Sequence, residues 1–399
     1  MQDQPFSTPK QEIDNRIKKL QSHLLKLKLD GALILQNTDL YYFAGTIQQS
    51  HLYIPAQGPP LLMVRKNLNR SRKESPIKTI VPLASPKQLM ALIRENGLKP
   101  PSTVGMELDV LPTNNYWQYR KLFPKLVIKD ISFPIRSIRA VKSQYELDVI
   151  GQAAVYSDLL AERLPCMLKP GMTEIELAGQ LEAYARKLGH QGIVRMRLFG
   201  AETFYGHLMA GPAAAVPSYL SSPTGGAAVN AAVAQGSSFN IIERNEPVLL
   251  DYAFAWNGYI SDHTRIFAMG PLSQELVDAH NCMLEIQDCI KGMAKPGAVA
   301  GELYQAAVEM AEQQGMGDYF MGVGKDRIRF IGHGVGLELD EFPFLASGQT
   351  LVLEEGMVLA VEPKLIFPGR GVVGIENTHV VTQKGLKQLN HAPQEITIL

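Results

Sequence analysis

The stretch "VLLDYAFAWNGYISDHTRIFAM", residues 248–269, consists of two apolar runs joined by Asn-Gly at 257–258. An Asn-Gly pair between two such runs is a strong signal for a β-hairpin with a two-residue turn. This turn puts Asp251 opposite Thr264, and it puts Asp262 on the same face as Asp251. Diagonal neighbours of this kind are about 7 Å apart at the backbone, so the two acids can share a cation or an ion pair.

A second hairpin is predicted in "MVLAVEPKLIFPGRGVVGIENTHVV", residues 357–381. An odd-length loop centred on Gly369 would place Glu362 directly opposite Glu376. Two carboxylates in direct opposition destabilise a hairpin unless a cation lies between them. Each acid also interrupts an apolar run, where an unpaired buried charge would be costly.

The stretch "GHGVGLELDEFP", residues 332–343, places His333 among glycines. It can be interpreted as a metal ligand, as part of a nucleotide-binding glycine loop, or as a structural histidine in a tight turn. A phosphate-binding loop should open a helix, and "LELDEFP" does not continue as one. The nucleotide-loop interpretation is therefore the weakest of the three.

The four hairpin acids either lie on solvated strand faces, as Asp and Glu usually do, or bind metal. Their position within apolar strands favours metal binding. Carboxylates together with one imidazole suit Mn, Co, Fe or Zn. Two divalent cations about 3.5 to 4 Å apart, sharing a hydroxide, would suit so many negative ligands.

Length and composition indicate an ordinary globular protein with two domains. The chain has 399 residues, 46% of them hydrophobic and 20% charged, with a formal net charge of zero, so nucleic acid is not an expected partner. The N-terminal sequence lacks a signal pattern, and no apolar stretch reaches the roughly 18 residues of a membrane span, so a cytoplasmic location without membrane association is expected. The three cysteines are expected to be free thiols: Cys166, Cys282 and Cys289.

The first part of the chain alternates helical and extended patterns, which predicts an α/β domain over residues 1–133. A capping box formed by Ser143 and Glu146 then opens a long helix in the second domain, residues 134–399.

The second domain contains a weak internal repeat. Pro170-Gly171 and Pro296-Gly297 each precede a helical pattern, and the same interval separates Gly206-His207 from Gly332-His333. Two related halves around a central cleft would explain this match, and chance similarity is the alternative.

Four segments of the second domain resemble the M24 metallopeptidase family, which includes Xaa-Pro dipeptidase, aminopeptidase P and methionine aminopeptidase. The first domain, with "DLYYFAGT", and the linking "IRAVKSQYELDVIGQAA" resemble the proline-specific branch, whose N-terminal domain is of the creatinase type. The resemblance implies a creatinase-like α/β domain followed by an α+β "pita-bread" domain with pseudo-twofold halves. The four segments are "LLDYAFAWNGYISDHTR", "FIGHGVGLELDEFP", "MVLAVEPKLIFPG" and "GVVGIENTHVVT".

The resemblance also implies roles for individual residues. Asp262 and Glu376 would bridge two divalent metal ions, most readily Mn or Co, with Fe or Zn as alternatives. Glu362 would in addition act as general base toward the bridging water. A small peptide or amide substrate and a homodimer are implied as well. The five implied metal ligands are Asp251, Asp262, His333, Glu362 and Glu376.

The chain departs from the family at two histidines near the substrate. Asp340 occupies the place of the second histidine in the family pattern "HGIGLEVHE". "AGPAAAVPS" ends in Ser218 where the family has another histidine, and an alternative alignment places Val233 there. A carboxylate cannot stabilise an oxyanion as an imidazole does. His207 is a candidate substitute, and a purely structural histidine is the alternative.

Three functions follow from these observations. The leading prediction is a metal-dependent hydrolase of the Xaa-Pro peptidase type. Ser218 and Asp340 motivate an alternative, a metal-using non-peptidase such as a lyase on the same fold. A non-catalytic peptide-binding module is the third.

Overall fold

The computed structural model describes residues 7–399, so the first residues of the segment inspected for a signal pattern lie outside the described part. The chain forms two compact units, the first ending at Arg139 and the second beginning at Ala140. The predicted division between residues 133 and 134 falls within a helix, Ser132–Ala140, and stays a prediction. Within residues 7–399, no helix combines the length and the apolar character needed to cross a membrane.

The N-terminal unit is built on a six-stranded mixed sheet with the order β4-β3-β2-β1-β5-β6. Its first helix presents one apolar face to the core, as its helical spacing of hydrophobic residues predicts. The strands are β1 Gly31–Ile34, β2 Ser50–Pro55, β3 Leu61–Val64, β4 Ile80–Pro82, β5 Thr103–Met106 and β6 Val127–Asp130. The helices are α1 Lys10–Lys26, α2 Asn37–Ala44, α3 Leu68–Glu74, α4 Leu89–Glu95, α5 Thr113–Leu122 and α6 Ser132–Ala140.

The C-terminal unit contains a four-stranded sheet, β17-β9-β8-β7, a five-stranded sheet, β11-β10-β12-β15-β16, and the two-stranded β13-β14. Its helices are α7 Gln144–Arg163, α8 Glu174–Leu188, α9 Gly211–Ala214, α10 Gln274–Met293 and α11 Ala300–Gln313. Its strands are β7 Gly206–Ala210, β8 Val248–Trp256, β9 Tyr259–Ala268, β10 Phe330–Gly334, β11 Glu341–Ala346, β12 Val358–Val361, β13 Lys364–Phe367, β14 Gly371–Gly374, β15 Asn377–Thr382, β16 Gly385–Gln388 and β17 Thr397–Ile398.

Two similar runs of elements make up this unit. In the first run, helices α7 and α8 precede the adjacent strands β7, β8 and β9; in the second, α10 and α11 precede the adjacent strands β10, β12 and β15. The helices α8 and α11 begin at the same interval as the two Pro-Gly pairs of the sequence repeat. His207 lies on β7 and His333 on β10, so the repeat places both histidines on the first strand of their run.

Both hairpins have the predicted register. Asp251 pairs with Thr264 across β8 and β9, which confirms the two-residue Asn-Gly turn. In the second hairpin, Lys364 pairs with Gly374, and the same alignment continues where β12 pairs with β15. Glu362 and Glu376 lie between these two ladders, where the Ile375 N–H donates to the Pro363 carbonyl oxygen at 3.2 Å.

The glycines around His333 allow close approach of neighbouring strands. A side-chain carbon on Gly332 would lie 2.4 Å from the carbonyl oxygen of Ala360 in β12. A side-chain carbon on Gly334 would lie 2.2 Å from the carbonyl oxygen of Phe342 in β11. These glycines therefore serve strand packing on both sides of β10. The three cysteines are free, as predicted.

Candidate metal centre

The acids and the histidine singled out from the sequence line one cavity of about 220 Å³ in the C-terminal unit. Two acids come from the strands of the first hairpin, two from the gap between the ladders of the second hairpin, and the histidine from β10. Because each strand alternates its side chains between two faces, one face of each hairpin supplies both of its acids. The residues concerned are Asp251, Asp262, His333, Glu362 and Glu376.

His333 is oriented by backbone carbonyl groups. Its Nδ1 lies 2.9 Å from the carbonyl oxygen of Leu339 and 3.1 Å from that of Gly334, so Nδ1–H is the donor in the neutral ring. Its Nε2 lies 3.9 Å from Asp262 Oδ2 and 3.7 Å from Glu362 Oε1. The lone pair of Nε2 therefore faces the carboxylates, as in a histidine that binds metal through this atom.

The donor atoms fit a divalent cation. One ligand atom from each of Asp262, His333 and Glu376 lies within 4.8 Å of the other two. Ligands bound about 2.0 to 2.2 Å from a metal are roughly 3 to 4 Å from one another, so small side-chain movements would complete such a site. All three residues are buried, which limits competition by bulk water.

Crowding of acids in this buried place is electrostatically unfavourable without a cation. Burial, followed by the charge of Asp251, raises the pKa of Asp262 to about 7. Burial, followed by the charge of Asp262, raises the pKa of Glu376 well above its ordinary value. A bound cation would relieve both effects by favouring the ionised carboxylates.

Lys364 completes the cluster, and the sequence-based prediction missed it. Its ammonium nitrogen Nζ lies 2.6 Å from Glu362 Oε2, 3.2 Å from Glu376 Oε2 and 3.2 Å from Asp251 Oδ2. The side chain is 1% exposed. Burial acts in the opposite direction, but the three carboxylates raise the pKa of Lys364 well above its usual range. The signal was present: Lys364 follows Glu362 by two positions in an apolar run, so both share one strand face.

Further polar groups hold Asp262 and Glu376 in place. The Thr264 hydroxyl donates to Glu376 Oε2 at 2.9 Å. The Thr378 hydroxyl accepts from the backbone N–H of Asp262 at 2.9 Å. Arg265 donates to the backbone carbonyl of Glu376, also at 2.9 Å. These contacts tie the two hairpins to each other at the positions of Asp262 and Glu376.

The two departures from the family pattern have different surroundings. Asp340 lines the cavity, with Oδ1 3.5 Å from His333 Nδ1. The Ser218 hydroxyl instead donates to the carbonyl of Ala234, and within residues 7–399 neither Ser218 nor Val233 is among those that line the cavity. His207 does line it, opposite Asp251 in the strand register, with Nε2 3.2 Å from Gln235 Oε1.

Comparison with known proteins agrees with this architecture. The model of metallopeptidase family M24 matches residues 148–383, and the model of the creatinase/prolidase N-terminal domain matches residues 16–141. The chain belongs to metallopeptidase family M24. The predictions of the family, of the creatinase-type N-terminal domain and of the pita-bread C-terminal domain are thereby confirmed.

Relatives in this family match along the whole chain. An Xaa-Pro dipeptidase of Pyrococcus furiosus is 28% identical over 383 residues, covering 96% of this chain and 99% of its own. The solved structure of an Xaa-Pro dipeptidase from Bacillus anthracis has a TM-score of 0.82 at 26% identity, covering 97% and 100% of the two chains. A prolidase from Pyrococcus horikoshii has a TM-score of 0.79 at 25% identity, covering 95% and 99%.

Membership of M24 makes the chain a metallopeptidase-type hydrolase, and the family implies use of a divalent metal. The donor set found here, three carboxylate or imidazole groups within reach of one ion, is chemically suited to that use.

Proposed function

We propose that the protein hydrolyses Xaa-Pro dipeptides with a divalent metal ion held by Asp262, His333 and Glu376. The convergence of these three donors at one cavity carries the proposal. The Xaa-Pro preference is carried over from relatives that span the whole chain, such as the Pyrococcus furiosus Xaa-Pro dipeptidase.

The side chains have distinct roles in this proposal. A divalent ion supplies Lewis acidity, which polarises a carbonyl group and acidifies water. Glu362 Oε1 lies 3.7 Å from His333 Nε2, so its carboxylate would lie beside an ion held by that ring and could accept a proton from a water molecule there. The hydrogen bond from Nδ1 to the Leu339 carbonyl keeps the ring of His333 in the ligating orientation.

The cavity suits a small substrate. Its volume of about 220 Å³ is below that of sites for drug-sized ligands, roughly 300 to 1,000 Å³. Apolar side chains contribute much of the wall, and His207 is the imidazole available to donate a hydrogen bond to the substrate. The apolar residues of the wall include Met196, Leu198, Phe199, Tyr219, Phe330 and Leu339.

The identity of the ion, the oligomeric state and the location are also part of the proposal. Mn or Co is the proposed ion, with Fe or Zn as alternatives, because oxygen donors and one imidazole suit all of them. A homodimer in the cytoplasm, acting on a small peptide, is proposed from the family resemblance. The sequence predicts two ions.

Asp340 favours one second candidate, a metal-using enzyme that does not cleave peptides. A carboxylate on the cavity wall repels the negative charge that develops on a peptide carbonyl during hydrolysis. A reaction without an oxyanion would not be disfavoured in this way.

Protein stripped of metal by chelation is assayed with Mn²⁺ or Co²⁺ on Ala-Pro, Leu-Pro, Ala-Ala and Pro-Ala. The expected result is metal-dependent release of proline from the first two substrates, abolished in Glu362→Gln. Glu354→Gln removes an exposed acid outside the cavity and serves as control. Bound metal without turnover of any dipeptide would reject peptidase activity in favour of the second candidate or a binding module.

A further inference from the structure

The buried ammonium group of Lys364 lies among the very acids that were expected to bind two metal ions. Three carboxylate oxygens, one each from Asp251, Glu362 and Glu376, surround Nζ at 3.2, 2.6 and 3.2 Å. A lysine ammonium has three N–H groups and no acceptor. The three carboxylates therefore satisfy all of its donors, and none is left for a substrate.

We propose that the Lys364 ammonium permanently occupies the second cation position, so that the protein binds one divalent ion, beside His333. The inference rests on the proposed metal-dependent function and changes its stoichiometry. Lys364 acts here as a positioning residue, a fixed positive charge that holds three acids in place.

The space around Nζ is incompatible with a metal ion held by the same three oxygens. A divalent transition-metal ion lies about 2.0 to 2.2 Å from its carboxylate oxygens. An ion among the Asp251, Glu362 and Glu376 oxygens would therefore fall on or beside Nζ. Contact between an ammonium group and a divalent cation at that distance is excluded sterically and by repulsion of like charges.

The remaining donors make a site for one ion without Asp251. Asp262, His333 and Glu376 have ligand atoms within 4.8 Å of one another. Among residues 7–399, Asp251 is not part of any such cluster of potential metal ligands. Its carboxylate instead pairs with the Lys364 ammonium, with Oδ2 3.2 Å from Nζ.

The single-ion arrangement assigns different tasks to the two cations. The ion beside His333 is the Lewis acid, and Glu362, which contacts Lys364 through Oε2, presents Oε1 toward His333. Lys364 cannot polarise a carbonyl group that it does not reach. The opposing possibility is that Lys364 leaves the cluster when a second ion enters, and stoichiometry distinguishes the two.

Chelator-stripped protein is titrated with Mn²⁺ by calorimetry, and its metal content is measured after gel filtration. We expect one ion per chain in the wild type and two in Lys364→Ala, which frees the oxygens and the space. Lys142→Ala removes another buried lysine, one that pairs with Glu341 outside this cluster, and should still bind one ion. The paramagnetic resonance spectrum should show isolated Mn²⁺ in the wild type and an exchange-coupled pair in Lys364→Ala.

Two ions per wild-type chain, or a coupled spectrum for the wild type, would overturn the proposal, because Lys364 would then have moved aside. One ion per chain in folded Lys364→Ala would overturn it as well, since Lys364 would not be what excludes the second ion. Circular dichroism establishes folding, and the wild-type count decides even if that variant does not fold. No ion in the wild type would instead reject the proposed metal-dependent function itself.

Discussion

Replacement of Glu174 should loosen one wall of the cavity from a distance. Glu174 is the first residue of α8 and is fully buried. Its Oε1 accepts from the Ala210 backbone N–H at 2.8 Å and from the Asn240 side chain at 3.1 Å. Its Oε2 accepts from the Ser238 backbone N–H at 2.8 Å and from the Ser238 hydroxyl at 2.7 Å. The Glu174 carboxylate thus holds the end of β7 and the segment that leads into β8 against the start of α8.

The cost follows from these four donors. In Glu174→Gln, an amide NH₂ replaces one acceptor oxygen; if it replaces Oε2, the Ser238 hydroxyl can turn, but the Ser238 N–H loses its partner. Loss of one hydrogen bond to a charged group predicts about 2 kcal/mol of lost stability. Glu174→Ala leaves all four donors without the carboxylate and should cost about 4 kcal/mol.

Urea unfolding of the C-terminal unit measures this cost. A Trp117→Phe background leaves Trp256 in β8 as the fluorescent reporter, because the chain has two tryptophans. Glu176→Gln is the matched control on the same helix: its exposed side chain closes a capping box that glutamine preserves, so the urea midpoint should stay close to that of the wild type. Gln235, which lines the cavity, lies just before Ser238 in the chain. A looser segment should therefore weaken substrate binding, so Glu174→Gln should raise KM more than it lowers kcat. Equal urea midpoints for Glu174→Gln and Glu176→Gln would refute the reasoning.

Three further predictions concern pH, packing and the metal ligands. Burial lowers the pKa of His190 to about 4, whereas in the unfolded chain its pKa is about 6.5. Acidification from above pH 6.5 to pH 4 therefore protonates the unfolded state first and should remove up to about 3 kcal/mol of stability. The urea midpoint of His190→Gln should fall less steeply with acidification than that of the wild type, and parallel slopes would contradict this. Gly334→Ala forces a methyl group against a carbonyl oxygen of β11 and should cost about 2 kcal/mol or more in thermal unfolding, whereas Gly292→Ala in α10, with open space at its Cβ, should be neutral or stabilising; the reverse order would be inconsistent with the strand packing. Thr264→Val removes the 2.9 Å hydrogen bond to Glu376 and should weaken Mn²⁺ binding about tenfold in calorimetry, while an unchanged affinity would show that the bond does not support the ligand.

The hairpins could be predicted from the sequence because their geometry is local. The Asn-Gly turn fixes the register of the first hairpin, and the alternation of side chains then assigns Asp251 and Asp262 to one face. The second hairpin likewise has the register predicted from a loop centred on Gly369. Both results depend only on short separations along the chain, for which turn chemistry and strand periodicity are sufficient.

The surroundings of the acids could not be predicted in the same way. The Leu339 carbonyl, which orients the His333 ring, lies in an irregular segment after β10. Glu341 pairs with the buried Lys142, which comes from a distant part of the sequence. Such pairings depend on how the strands and loops of the unit pack, which no local pattern specifies.

Lys364 is an intermediate case. Its position on the same strand face as Glu362 could be read from the sequence, but its contact with Asp251 requires the two hairpins to face each other. The acids taken alone predict two cations. A basic residue in an apolar strand is as informative as an acid, because each needs a buried partner.

Anomalous diffraction at the manganese edge, from crystals soaked in Mn²⁺, tests the account of the metal centre most directly. The account predicts one peak within bonding distance of His333 Nε2 and of the Asp262 and Glu376 carboxylates, with Lys364 still among its three acids. Absence of a peak beside His333, or a peak in the place of the Lys364 ammonium, would contradict it.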